Sequence, residues 1–251
     1  MDEVELKRLR LGAKIDFITL FNPAGKKVNI PPLEGVVKWS RRLHYQRFTV
    51  HDPSPGEIEI LMGVFGCDVP ILEMEVAIDF RPSDFRADLP LLRRVMVDVF
   101  GRRLCPSASS LRGLPRRAYR PRLKRVIMLK SSPCRWEDQM LLGARQDRVQ
   151  VKCYLKQRDQ NQPLKDIEAA ARLEVRLAQE ELKLLGVPTL ICIQQFSWRK
   201  SLMPYFRHCV PVSKDRSGDG AFERRCDTEI NDRIGQALMR LERRFRGVID
   251  T

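Results

Sequence analysis

Three short runs in this chain alternate apolar and polar residues with a period of two, and no other feature constrains the fold as tightly. In Leu72 to Phe80, an extended backbone puts Glu73, Glu75 and Asp79 on one side and Met74, Val76, Ile78 and Phe80 on the other. Val149 to Lys156 sorts Lys152, Tyr154 and Lys156 in the same way, and Ala171 to Leu177 sorts Arg172, Glu174 and Arg176. A helix would scatter each set around its axis. A sheet with one apolar face keeps each set together and brings the polar sides of neighbouring strands onto one surface.

The rest of the chain reads as further strands and helices. Lys14 to Phe21 is β-branched and alternating and runs into Asn22-Pro23 and Gly25, a strand ending in a turn. Glu57 to Phe65 places Ile58, Leu61, Met62 and Phe65 on one helical face, and Val69 to Phe80 is a strand closed by Arg81-Pro82. Ser83 or Asp84 can cap a long helix through Leu89, Leu92, Val95, Met96, Val99 and Phe100. Extended segments are expected at Arg125 to Leu129, Gln139 to Leu142 and Val149 to Lys156, the last two forming a hairpin at Gly143. A helix over Asp166 to Ala171 precedes the third alternating strand. A helix from about Gln179 to Leu185 follows it, stopped by Gly186 and Pro188, and a last helix covers about Phe222 to Phe245. No repeat of solenoid length is present. The sum is an α+β fold with a mostly antiparallel central sheet and helices packed on one face.

At 251 residues the chain can bury a full core without staples. No apolar run approaches the ~20 residues that span a bilayer, and no secretion signal is read at the N-terminus, so a cytoplasmic protein is expected. The seven cysteines are scattered without a C-x-x-C pair and read as reduced thiols. Lysine and arginine outnumber aspartate and glutamate by 46 to 32, a net charge of +14 that favours a polyanionic partner. An acidic membrane surface is the rival partner, but no strongly amphipathic terminal helix carries the charge. Between Arg102 and Arg135 stand eleven basic residues and no acidic one. Pro106, Gly113, Pro115 and Pro121 make that stretch an irregular arm in this reading. Arg112, Arg116, Arg117, Arg120, Arg122, Lys124 and Arg125 are its candidate DNA contacts, and Arg145 and Arg172 join them from outside it. An ordinary solvated surface is the alternative.

The three polar rows can carry chemistry together. Glu73, Glu75 and Asp79 repel one another unless solvent, basic partners or a cation screens them, and hard oxygen donors suit Mg²⁺ or Mn²⁺. A solvated strand face explains the same spacing. Tyr154 lies between Lys152 and Lys156, where positive charge stabilises a phenolate and holds a phosphate for attack. A sheet tyrosine beside snorkelling lysines is the bland alternative. Glu174, between two arginines, reads equally as a steadied metal ligand or as part of a surface ion-pair ladder.

Taken in order, Lys14-Ile15-Asp16-Phe17, Glu75-Val76-Ala77-Ile78-Asp79, Gln139 to Arg145 leading to Tyr154-Leu155-Lys156, and Arg172-Leu173-Glu174 resemble the replication initiation factor family. That family includes initiators of rolling-circle plasmids and is similar to the gene II proteins of filamentous phages. The resemblance runs from about residue 12 to 210. It implies a catalytic nicking domain over 1–210, with the basic arm at about 102–135, and a helical extension over 211–251. It also implies that Tyr154 is the nucleophile, assisted by Lys156, and that Glu75, Asp79 and Glu174 are metal ligands. Related strands begin with an arginine and an aspartate where this one has Glu73 and Glu75, which leaves either glutamate as the ligand. His44, His51 and His208 form no His-hydrophobe-His pair, so the metal chemistry of the commoner nicking enzymes is not expected. The activity implied is nicking of one strand at a plasmid or phage origin, through a 5′-phosphotyrosyl intermediate that leaves a 3′-hydroxyl primer. The absence of a G-x-x-x-x-G-K-[ST] loop agrees with chemistry that needs no ATP. Origin DNA is the expected partner, with host helicase, host polymerase and a second copy of the chain as further candidates. A non-catalytic DNA-binding regulator of the same fold is the alternative.

Overall fold

The computed structural model describes residues 1, 3–23, 31–33, 37–41, 45–84, 88–120, 124–128, 139–159, 162–165, 168–212 and 223–246. In chain order the elements are α1 (Glu3–Lys7), β1 (Leu9–Pro23), β2 (Val37–Arg41), β3 (Tyr45–His51), α2 (Pro55–Phe65), β4 (Ile71–Pro82) and α3 (Leu89–Arg94). A π-helix over Val95–Arg103 extends α3, and a single 3₁₀ turn follows at Ser109–Leu111. Next come β5 (Arg116–Arg120), β6 (Arg125–Met128), β7 (Gln139–Leu142), β8 (Val149–Lys156), the two-residue strands β9 (Arg158–Asp159) and β10 (Gln162–Pro163), and β11 (Ala170–Ala178). The chain continues through α4 (Gln179–Leu184), α5 (Cys192–Gln195), α6 (Trp198–Phe206), β12 (Cys209–Val212), β13 (Glu223–Cys226) and α7 (Thr228–Arg246).

Nine strands form one sheet in the order β2-β3-β1-β4-β11-β8-β7-β5-β6. Every pairing in it is antiparallel. The three alternating runs supply its centre, β4, β11 and β8, side by side. Their apolar sides are fully buried, with Met74, Val76, Ile78, Leu173, Val175, Leu177 and Cys153 at 0% exposure. Helices cover that face because it cannot face water. Phe100 of the π-helix meets Phe80 edge to face at 5.1 Å, and Phe65 of α2 lies 5.2 Å from Phe48 of β3. Helix α7 packs on the same core through Ile230, Ile234, Leu238 and Phe245, and Trp198 of α6 stacks on Phe245 at 5.8 Å. Arg233 of α7 donates to the carbonyls of Leu6 and Leu9, and Arg240 to that of Leu11 at 2.8 Å, tying the helix to β1. Among the described residues, no helix is long and apolar enough to cross a membrane.

Several local expectations are corrected. The helix after β4 is capped by Asp88, whose carboxylate accepts from the Leu91 amide at 2.9 Å, and not by Ser83 or Asp84. Much of the irregular basic arm is sheet: Arg116–Arg120 and Arg125–Met128 are its last two strands. Arg122 lies outside the described residues. The helix expected through Ala171 is replaced by strand from Ala170, since Ala170 and Ala171, at 0% exposure, are held by pairing with β8 and β4. The last helix starts at Thr228 because Glu223–Cys226 pairs with β12 instead.

Candidate active site

On the face of the sheet away from the helices, register brings the polar rows together. Tyr154 of β8 pairs with Arg172 of β11, which pairs with Asp79 of β4. One pair further along, Lys152 stands beside Glu174, and beyond that Arg176 stands beside Glu75. Strand β1 contributes through a bulge. Its register on β4 jumps between Ile15/Val76 and Phe17/Glu75, which leaves Asp16 as an extra residue aimed at the polar face. The Asp52 amide fixes the bulge by donating to the Asp16 carbonyl at 2.8 Å, and Asp52 itself holds a positive φ of 51°.

The side chains form one continuous network. The Arg172 guanidinium grips Asp79 with two hydrogen bonds of 2.6 and 2.9 Å and donates to Asp16 at 2.6 Å. The Lys152 ammonium lies between Glu75 at 2.8 Å and Glu174 at 3.0 Å. The Tyr154 hydroxyl donates to the other Glu174 oxygen at 2.5 Å. The floor of the site is buried, while the side chains of Asp16 and Lys152 keep 20% and 27% exposure and form an open rim. Tyr154 is half-buried between floor and rim.

These contacts set the protonation states. Burial, reinforced by the Glu174 carboxylate, pushes Glu75 up to about 7 despite the opposing pull of Lys152. Burial also pushes Tyr154 well above the usual phenol range, and Glu174 adds to the rise. The phenol is therefore protonated at neutral pH, where the flanking lysines were expected to favour the phenolate. Asp79 moves the other way: burial raises it, but the Arg172 hydrogen bonds and charge outweigh that and hold it below the ordinary carboxylate range. Lys152 loses by burial but gains more from Glu174 and Glu75, so it stays charged.

Each candidate residue now has a position. Tyr154, Lys152, Glu75 and Glu174 come together. Asp79 lies in the same network, but its carboxylate is taken up by Arg172 and by Arg81 at 2.7 Å. Glu73 is drawn aside by Arg176 at 3.1 Å. Lys156 is buried on the same strand, beyond Tyr154. Arg172, expected to touch DNA, is 1% exposed, so it is corrected to a scaffold residue whose donors are spent on Asp79 and Asp16. Arg112, Lys124, Arg125 and Arg145 are exposed, and Arg117 and Arg120 are partly so. Arg116 donates to the Leu104 carbonyl at 2.8 Å.

Asp16 was missed as a ligand. With Glu75 and Glu174 it forms a set whose carboxylate oxygens lie within 4.8 Å of one another. The signal was the odd spacing between two core residues of β1, Ile15 and Ile18, which alternation alone cannot bury on one face and a bulge can. Three oxygen donors from three strands suit Mg²⁺ or Mn²⁺, and burial together with the neighbouring Glu174 charge raises Glu75 toward protonation when no cation offsets it. The residues therefore fit a hard divalent ion.

No protein-family model matches the sequence, and no curated protein matches it in sequence. A solved structure described as the rolling circle replication initiator protein from Geobacillus stearothermophilus is similar to this chain with a TM-score of 0.45 and 11% identity. The superposition covers 92% of this chain and 97% of that one.

Proposed function

We propose that this chain is a DNA-nicking and strand-transferring protein of the rolling-circle initiator type, with Tyr154 as nucleophile. The observation that carries the reading is the hydrogen bond from the Tyr154 hydroxyl to Glu174, a carboxylate that also belongs to the three-carboxylate set. A half-buried phenol that stays protonated needs a base at the moment of attack, and Glu174 is within proton-transfer reach. In this reading Glu174 takes the phenolic proton as the Tyr154 oxygen attacks phosphorus. The P–O3′ bond breaks, the 3′ oxygen leaves with a proton taken from solvent water, and the 5′-phosphate stays on Tyr154. Lys152 presents positive charge to the non-bridging oxygens from the rim. Asp16, Glu75 and Glu174 would hold Mg²⁺ or Mn²⁺, which supplies Lewis-acid polarisation of the phosphate when bound. Arg172, clamped by Asp79, positions Asp16 and the strand that carries Glu174.

The net charge of +14 and the acid-free stretch from Arg102 to Arg135 support a nucleic-acid substrate. A second reading has one observation in its favour: Lys152 already neutralises Glu75 and Glu174, as it would in a DNA-binding regulator that does not cleave. Incubation with Mn²⁺ and an end-labelled pool of random single-stranded oligonucleotides separates the two. The enzyme yields a denaturant-resistant protein–DNA adduct and a free 3′-hydroxyl fragment, and Tyr154→Phe yields neither. A regulator binds the pool and leaves it intact.

A further inference from the structure

The polar face does not end at Tyr154. Continuing the β7–β8 register places Gln139 beside Tyr154 and Leu141 beside Lys152. The next strands set Tyr119 beside Gln139 and Arg117 beside Leu141, and then Val126 beside Tyr119 and Met128 beside Arg117. Two rows thus leave the site across β7, β5 and β6, one through Gln139, Tyr119 and Val126, the other through Leu141, Arg117 and Met128. At about 4.8 Å per strand they reach roughly 14 Å from Tyr154.

The residues in these rows are unlike those that the fold requires. On the opposite face of β5 and β7, Ala118 and Met140 are buried at 0% and 4%, and Ile127 of β6 packs against the same core. Val126 and Met128 point the other way and are 49% and 57% exposed, beside the half-buried ring of Tyr119. A strand needs no apolar side chain on its wet face. Among the described residues the Arg117 guanidinium carries no ion pair, and Lys124 and Arg125 stand exposed at the hairpin tip.

We infer that this ribbon is a binding track for the single-stranded DNA flanking the scissile phosphate. Tyr119, Val126 and Met128 offer surfaces for unstacked bases, and Arg117 and Lys124 contact the backbone. The inference rests on the proposed nicking reaction for its placement, since the track begins beside Tyr154. Its chemistry favours a single strand because aromatic and apolar side chains interleaved with arginine suit exposed base faces, which a duplex hides. The other occupant of an edge strand is a second copy pairing through β6. The positive charges on that edge oppose it, because the copies would bring like charges together.

The test uses the full chain as Tyr154→Phe in EDTA, so that neither cleavage nor metal enters the measurement, with a fluorescent oligothymidylate and a blunt duplex as probes. Tyr119→Ala and Met128→Ser are expected to weaken oligothymidylate binding about tenfold each, the scale of one lost base contact, with little change for the duplex. Arg117→Gln should weaken binding and flatten its salt dependence. Unfolding midpoints matching the parent exclude loss of fold, and Tyr119→Phe, which retains the ring, should bind as the parent does. Undiminished oligothymidylate binding in Tyr119→Ala and Met128→Ser overturns the track, even if the Tyr154 adduct forms in the native chain. Conversely, a tenfold loss in these variants from a chain that forms no adduct leaves the track standing and sinks the nicking reaction. A dimer in sedimentation that Met128→Ser dissociates assigns the ribbon to a second copy and overturns the inference.

Discussion

Replacing Arg172 by leucine should be among the most destabilising changes in the sheet. The guanidinium is 1% exposed and Asp79 6%, so its loss leaves the buried Asp79 carboxylate with the partly exposed Arg81 at 2.7 Å and leaves Asp16 with Lys14 at 3.6 Å. Three charge-assisted hydrogen bonds, at 2.6, 2.9 and 2.6 Å, vanish together. Breaking a buried pair from one side costs about 3–5 kcal/mol, whereas replacing both partners by apolar groups is often close to neutral. Arg172→Leu should therefore lose about 3–5 kcal/mol, and Arg172→Leu with Asp79→Leu should regain at least ~2 kcal/mol of it. Urea denaturation followed by the fluorescence of buried Trp198 measures both. The sign of the pH dependence follows from the lowered Asp79. Its contribution is complete above the ordinary carboxylate range and is lost as pH falls through the still lower folded-state value, so the native chain should weaken in acid more steeply than the double variant. A double variant no more stable than Arg172→Leu would refute the reasoning and make the loss one of packing.

Glu75 predicts the opposite slope. Raised to about 7, its carboxyl favours the fold below the unfolded value of 4.5, and that contribution fades as pH rises through about 7. Denaturation midpoints between pH ~5 and ~8 should fall in the native chain and flatten in Glu75→Gln, and added Mn²⁺ should restore stability above pH ~7. Gly143, at φ +80°, ends β7, and a Cβ there would lie 2.7 Å from the Val149 carbonyl oxygen. Gly143→Ala should cost more than about 1 kcal/mol in the same assay and reduce adduct formation by disturbing the strand that carries Lys152 and Tyr154.

The centre of the fold was legible because strict alternation in β4, β8 and β11 has one economical solution, a sheet with an apolar and a charged side. Which charges would meet was legible for Tyr154, Lys152, Glu75 and Glu174. It was not legible for Asp16, whose place depends on a bulge, or for Arg172, whose partners are set by cross-strand register that no single segment encodes. The basic arm misled because Pro115 and Pro121 flank β5, and flanking prolines look the same whether the segment between them pairs or not. Ala169 to Ala171 misled by composition: alanine favours helix in isolation, but here small side chains suit a crowded strand between two neighbours.

Mass spectrometry of the peptide that carries DNA tests the central claim most directly. After incubation with Mn²⁺ and the single-stranded pool, nuclease trimming and proteolysis, the account predicts a nucleotide 5′-phosphate on the peptide containing Tyr154. The same phosphate on Tyr45, Tyr119 or Tyr205, or an adduct that persists in Tyr154→Phe, would contradict it.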